Sequence, residues 1–284
     1  MGYNQHQSFF LRERWLGKGL REIKNDPNFF FQSDAFEKIG LGKNMVQSLR
    51  YWIDATGAAK VKGTGKNRYH EFQSIGDWVL RNDPAIKHFE TAALLHYTIV
   101  SNIHNSTTWY WFFNLFSESM STREDIFVEL DPWVQERETR VIAENSIKRD
   151  IDCLIRMYTA GRNFKDPEEV NASPFNKLAL LKEINGTVYK VEPSIPDGSL
   201  LFVQYILLAY GFEHKQYEVS LEDIVHKEGL LGKSFNLSRS TIVGLLMKLL
   251  DDPDYPLQFT RTNNLDMVKI PEIDPEEFLR NSSE

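Results

Sequence analysis

The stretch DAFEKIGLGKNMVQSLRYWIDATG, Asp34 to Gly57, decides how the rest of the chain is read. Phe36 and Ile39 lie one turn apart. Gly40-Leu41-Gly42 then breaks the period, where glycine tolerates a positive φ at little cost. Met45, Val46, Leu49, Trp52 and Ile53 recur at helical spacing after the break. Two short helices around a tight turn form the pattern of a helix-turn-helix, whose close packing presents the second helix outward. Ala59 to Phe72 follows as two short strands joined at Gly63 to Gly65, which is the place of a wing. The whole element spans residues 34–70.

The outward face of the second helix is predicted to carry Asn44, Gln47, Ser48 and Tyr51, with Lys43 and Arg50 beside them. Amides and guanidinium groups read base edges in a major groove, and a lysine at a helix start suits a phosphate. Lys60, Lys62, Lys66 and Arg68 on the hairpin would meet an adjacent backbone. From Lys43 to His70 there are six basic residues against one acid, Asp54. The 284-residue chain as a whole holds 33 Lys and Arg against 40 Asp and Glu, a net charge of −7. That balance excludes a uniformly basic nucleic-acid binder and leaves room for a local basic patch. The same polar positions would also serve as an ordinary solvated helix face.

Outward from this element the chain reads as mostly α (α+β), with winged helix-turn-helix elements at both ends. Ala92 to Val100, Thr122 to Leu130, Asn145 to Tyr158, Phe175 to Ile184 and Ser199 to Tyr210 have helical patterns, with Thr122 as the expected N-cap of the second and Pro132 expected to end it or kink the chain. The aromatic block Thr107 to Phe116 reads as a core helix, in which a buried Asn114 needs a hydrogen-bond partner. Thr187 to Val191 is strand-like. The second winged element would run from Leu221 to Ile270. Its recognition helix opens at Ser238-Arg239, and its hairpin turns at Asn263-Asn264 and carries Arg261. Between Lys215 and Lys269 eight acids face seven bases, so this unit suits a protein partner as well as DNA. The polar stretch Gly161 to Pro174 marks the expected boundary between an N-terminal domain, 1–160, and a C-terminal one, 175–284.

Cys153 is the single cysteine, so neither an intramolecular disulfide nor a Cys-rich zinc site is possible. With no cationic and apolar leader in the first ten residues, a cytoplasmic protein is expected. The apolar run Ser199 to Tyr210 is too short for a bilayer core of about 30 Å. No Walker loop, dinucleotide fingerprint, zinc-binding His pair or nucleophile elbow is present. The charged helix face Lys148, Arg149, Asp150, Asp152 offers two carboxylates for a divalent cation and two cations for a developing phosphorane. An ion-pair ladder, with Asp152 and Arg156 at i,i+4, explains the same residues more simply. His6, His70, His96 and His104 are candidate bases, or else packed or surface histidines.

Several of these segments also carry a resemblance. His6-Gln-Ser-Phe-Phe-Leu-Arg-Glu-Arg-Trp-Leu-Gly-Lys-Gly, Ile39 to Trp52, His96, Thr107 to Asn114 and Lys148 to Tyr158 occur in the order of a bacterial family of unknown function found with DNA phosphorothioation genes. That family often has His-Glu-Thr-Phe where this chain has His6-Gln7-Ser8-Phe9. The resemblance covers most of the chain. It implies a DNA-nicking role in phosphorothioate modification and phage defence, on double-stranded DNA and beside sulfur-transfer and ATPase components. The resemblance carries over no catalytic residues; from the charged helix face itself, Asp150 and Asp152 are the expected Mg²⁺ ligands and Lys148 and Arg149 the expected phosphate stabilisers, and a homodimer would suit a paired DNA site. The rival expectations are a non-catalytic DNA-recognition subunit or transcriptional regulator, and a protein-interaction scaffold.

Overall fold

A computed structural model describes residues 2–159, 172–250, 257–262 and 265–282. The chain is predominantly helical with three small antiparallel sheets, a mixed α+β fold.

After α1 (Trp15–Asn25), α2 (Ala35–Ile39) ends at Gly40, whose φ of 66° lets Gly40 and Leu41 donate back to Glu37 and Phe36. α3 (Lys43–Ala55) buries Val46, Leu49, Trp52 and Ile53 against α1, as its periodicity requires. β1 (Ala59–Lys62) and β2 (Tyr69–Phe72) form the expected hairpin, in a register that pairs Ala59 with Phe72 and Lys62 with Tyr69. Gly63 is confined to glycine because a Cβ there would collide with the Asn67 carbonyl oxygen.

α4 (Ser74–Asn82) leads to α5 (Phe89–Ser101) and α6 (Thr107–Asn114), both wrapped in core. Asn114 finds its partners: its amide donates to the Val100 and Tyr110 carbonyls and accepts from Gly229 N–H. β3 (Met120–Thr122) precedes α7 (Arg123–Arg137), which opens on a Thr122/Asp125 capping box. Pro132 lies inside α7 and does not end it. α8 (Glu144–Thr159) buries Ile147, Ile151, Leu154, Ile155 and Tyr158 along one face.

The expected linker from Gly161 lies outside the described residues up to Asn171. The helix predicted for Phe175 to Ile184 is replaced by a 3-10 turn, Pro174–Leu178, and a strand, β4 (Leu181–Ile184). Asn185-Gly186, both at positive φ, turns β4 into β5 (Thr187–Lys190), and β3 pairs on the other side of β5. α9 (Leu201–His214), β6 (Glu218–Ser220), α10 (Leu221–His226), α11 (Leu231–Phe235) and α12 (Arg239–Leu250) follow. Ser238 Oγ accepts the Thr241 N–H at the start of α12. β7 (Gln258–Thr262) and β8 (Leu265–Lys269) pair as the predicted hairpin; the turn residues Asn263 and Asn264 lie outside the described set. β6 adds to β8, and α13 (Pro275–Asn281) packs on α4 and α9. One hydrophobic cluster runs from Phe10 to Leu279 through both halves of the chain.

His96 sits inside this cluster, fully buried between Phe113, Tyr158 and Phe235. Its Nε2 lies 2.6 Å from the Ser234 carbonyl, so it donates there and Nδ1 accepts from the Tyr158 hydroxyl at 2.7 Å. Burial pushes its pKa down to about 3, and His70 is pushed down to about 4 by burial and then by the Arg50 charge. Both values lie below the ordinary 6.5, so the unfolded chain takes up these protons first and stability falls as pH drops below 6.5. Each histidine is expected to remove up to about 2 kcal/mol between pH 7 and pH 5. Urea unfolding at the two pH values checks this, with a visibly smaller loss in His96→Gln.

Candidate nucleic-acid interface

The N-terminal loop, α3, α6 and α8 meet at one buried carboxylate. Asp150 Oδ1 accepts the Asn4 N–H and the His6 ring, each at 2.8 Å, and Oδ2 accepts the Thr108 hydroxyl at 3.0 Å. His6 Nδ1 accepts the Ser8 N–H, so Nε2 carries the hydrogen directed at Asp150. Trp52 stacks on the His6 ring, while Tyr51 and Trp109 meet it edge-on. Just beyond, the Phe9 carbonyl accepts both Ser48 Oγ and Trp52 Nε1.

This loop changes the predicted face of α3. Ser48 is fully buried beneath Phe9, and the Tyr51 hydroxyl donates to the Asn105 carbonyl at 3.1 Å. Burial raises the Tyr51 pKa well above its ordinary value, with the Asp150 charge adding to it. Ser48 is therefore no DNA contact in this arrangement. Lys43, Asn44 and Gln47 remain exposed on α3, and Arg50 is half-buried at its edge. Lys60, Lys62, Lys66 and Arg68 are all exposed on the hairpin. The structure thus brings α3 and the hairpin side by side as one basic surface. Of its cations, Lys62 pairs with Glu71 at 3.4 Å. Lys43 instead rests on the Phe36 ring, and Arg50 and Arg68 both rest on Phe31. A cleft of about 240 Å³ opens between α3, the hairpin and the N-terminal loop, with Gln5, Gln7 and Gln47 at its wall.

With that geometry in place, comparison with known proteins is informative. A family model described as "Protein of unknown function (DUF4007)" matches residues 3–282. The chain belongs to the DUF4007 family. Two solved structures share its fold: a magnesium ion-bound SspB crystal structure at 22% identity and an SspB crystal structure at 23% identity. Each superposes with a TM-score of 0.87 over 99% of this chain and 86% of the other. No curated protein matches the sequence.

In this DUF4007 chain the four predicted catalytic residues do not converge. Asp150 and Asp152 are two residues apart, which turns them roughly 200° around the helix. Asp150 is consumed by the N-terminal loop, whereas Asp152 lies 3.5 Å from both Arg123 and Arg156. Lys148 rests on Phe127 and reaches Glu144, and Arg149 is exposed. Among the described residues no cluster of three His, Cys, Asp or Glu side chains could hold a metal ion. The Asp150/Asp152 pair does not fit a magnesium site, because its two carboxylates face different partners. In the C-terminal unit Arg239 pairs with Glu222 and, at 3.2 Å, with Asp266, which neutralises it as a phosphate contact. Arg261 lies on β7, with its side chain outside the described set. His104 is exposed, and the candidate base His96 is locked in the core.

Sequence reasoning missed the His6–Asp150 contact, although both residues lay in quoted motifs. The available signal was a buried-type aspartate on the apolar side of an amphipathic helix. Asp150→Ala is expected to destabilise the protein by about 3 kcal/mol, through loss of a buried charge-assisted network. Asp152→Ala, on the exposed side, is expected to cost under about 1 kcal/mol. Chemical denaturation of both variants distinguishes a structural carboxylate from a surface one; equal effects would refute the assignment.

Proposed function

We propose that this protein binds double-stranded DNA through α3 and the β1–β2 hairpin, acting as a winged helix, and serves a strand-nicking role in phosphorothioate-linked phage defence. The observation that carries the binding is the run of Lys43, Lys66, Arg50 and Arg68, none of which forms an ion pair with a carboxylate among the described residues, with Lys60 beside them acting on Asp54. On an acidic chain, cations left without acid partners on one face are the footprint of a polyanion. Asn44 and Gln47 supply the base-edge contacts, and the lysines fix the register on phosphates. Nicking is supported by the fold shared with SspB and by the sequence resemblance. Magnesium enters the proposal through the likeness to magnesium ion-bound SspB alone, and no ligand is assigned to it. The C-terminal winged unit, with Arg239 neutralised, suits a protein partner such as a sulfur-transfer or ATPase component, or a second copy of the chain. A cytoplasmic location fits these partners, and no described helix is long and apolar enough to cross a membrane.

The rival reading is a non-catalytic DNA-recognition subunit or transcriptional regulator. The burial of Asp150 favours it, since the residue offered as a metal ligand holds the fold instead.

Purified protein on supercoiled plasmid, with Mg²⁺ and with EDTA, separates the two. Open circles without linear product support nicking, while a gel shift without conversion supports the recognition subunit. Replacing Lys43, Arg50, Lys66 and Arg68 with Gln is expected to flatten the dependence of log K on log salt by about 0.9 per lost phosphate contact. An unchanged slope would refute the assigned surface.

A further inference from the structure

The cleft between α3 and the hairpin is built differently from the surface around it. Two guanidinium groups, Arg50 and Arg68, are drawn to one ring, lying 5.5 and 4.8 Å from the centre of Phe31. Like charges held this close repel each other. Burial and the Arg68 charge both act to lower the Arg50 pKa. Neither arginine has a carboxylate partner among the described residues. Asp54 lines the same cleft, but its carboxylate accepts the Asn105 amide at 2.7 Å and faces the charge of Lys60, while burial raises its pKa.

The same cleft is also lined by amides. Gln5 and Gln7 come from the loop pinned by His6, and Gln47 comes from α3. Gln7 and its neighbour Ser8 are held at positive φ, 50° and 62°, a conformation that persists only where surrounding contacts impose it. An amide offers both donor and acceptor, which suits a base edge and not a bare anion. A second cleft of about 270 Å³ adjoins the first across Gln47 and Arg50 and carries Lys43. The first, at about 240 Å³, is too small for a duplex and has room for part of one nucleotide.

We infer that this cleft receives one nucleotide unit that has left the duplex stack, its phosphate between Arg50 and Arg68 and its base edge at the Gln5, Gln7 and Gln47 amides. A bidentate guanidinium pair matches a phosphate, and the anion relieves the repulsion between the two arginines. The adjoining cleft lets the strand continue past Lys43, so the unit is either a strand end or an extruded nucleotide. The inference rests on the DNA-binding reading above and adds a strand-level site to it.

The test is calorimetric titration with thymidine monophosphate, thymidine and inorganic phosphate. Thymidine monophosphate is expected to bind at least tenfold more tightly than either of the others. Arg50→Gln and Arg68→Gln should each lower its affinity at least tenfold. Gln7→Glu should do the same by adding a carboxylate to the cleft while leaving both arginine stacks in place, which keeps the test valid should an arginine variant misfold. Equal binding of thymidine and its monophosphate, equal binding of inorganic phosphate, or an unchanged affinity in Gln7→Glu would overturn the inference. Tighter binding to a duplex with a 5′-phosphorylated nick than to one with a central mismatch assigns a strand end; the reverse assigns an extruded nucleotide. Intact duplex binding, measured on the same protein, separates the two readings. Monophosphate binding without duplex binding defeats the DNA surface, while duplex binding without monophosphate selectivity defeats the cleft alone.

Discussion

A single buried carboxylate organises the part of the molecule that faces outward. Asp150 sits 3% exposed on α8 and accepts hydrogen bonds from Asn4, His6 and Thr108. A carboxylate out of water is tolerable only with such donors, and charge-assisted bonds of this kind are the stronger ones. Because two of the three donors come from the first six residues, the N-terminal loop cannot lie elsewhere. The loop then covers Ser48 and Trp52 through the Phe9 carbonyl and leaves Asn44 and Gln47 exposed, with Arg50 half-buried beside them. The same loop carries Gln5 and Gln7 to the cleft. A contact deep in the fold thereby decides which side of α3 is available to a partner.

Charge follows a second logic. Elsewhere on the surface several acids and bases meet: Arg123 with Glu183 and Asp152, Arg239 with Glu222 and Asp266, Lys248 with Asp197. Exposed pairs of this kind add little stability, but they cancel the local field. Around α3 and the hairpin, aromatic rings take the place of acids as supports for Lys43, Arg50 and Arg68. A ring positions a cation without neutralising it. The positive field therefore survives here on a chain whose net charge is −7.

Buried polar groups elsewhere are spent on joining elements. His96 ties α5 to α8 and α11, Asn114 ties α6 to the loop before α11, and Lys190 donates to the Phe112 and Phe116 carbonyls at the end of α6. Burial, with Lys233 nearby, pushes Lys190 down to about 7. Of these, His96 is the one that looks like chemistry when read along the chain. Their partners make them fasteners.

The sequence by itself determined the helix-turn-helix-like pair α2–α3, the hairpin after it, the amphipathic α8, the aromatic core helix α6 and the basic island. Those features follow from local period, from glycine at the breaks, and from charge density, all of which are properties of neighbouring residues. The β4–β5 hairpin was missed, because the apolar run Phe175 to Ile184 fits a helix period, although Asn185-Gly186 is a hairpin-turn signal. Only the tertiary structure decided that Asp150 is buried while Asp152 is exposed, that Ser48 is covered, and that Arg50 and Arg68 share one ring. Residues 6 and 150, or 31, 50 and 68, acquire those relations only when distant segments pack, and nothing in the spacing of a helix face says which segment will cover it.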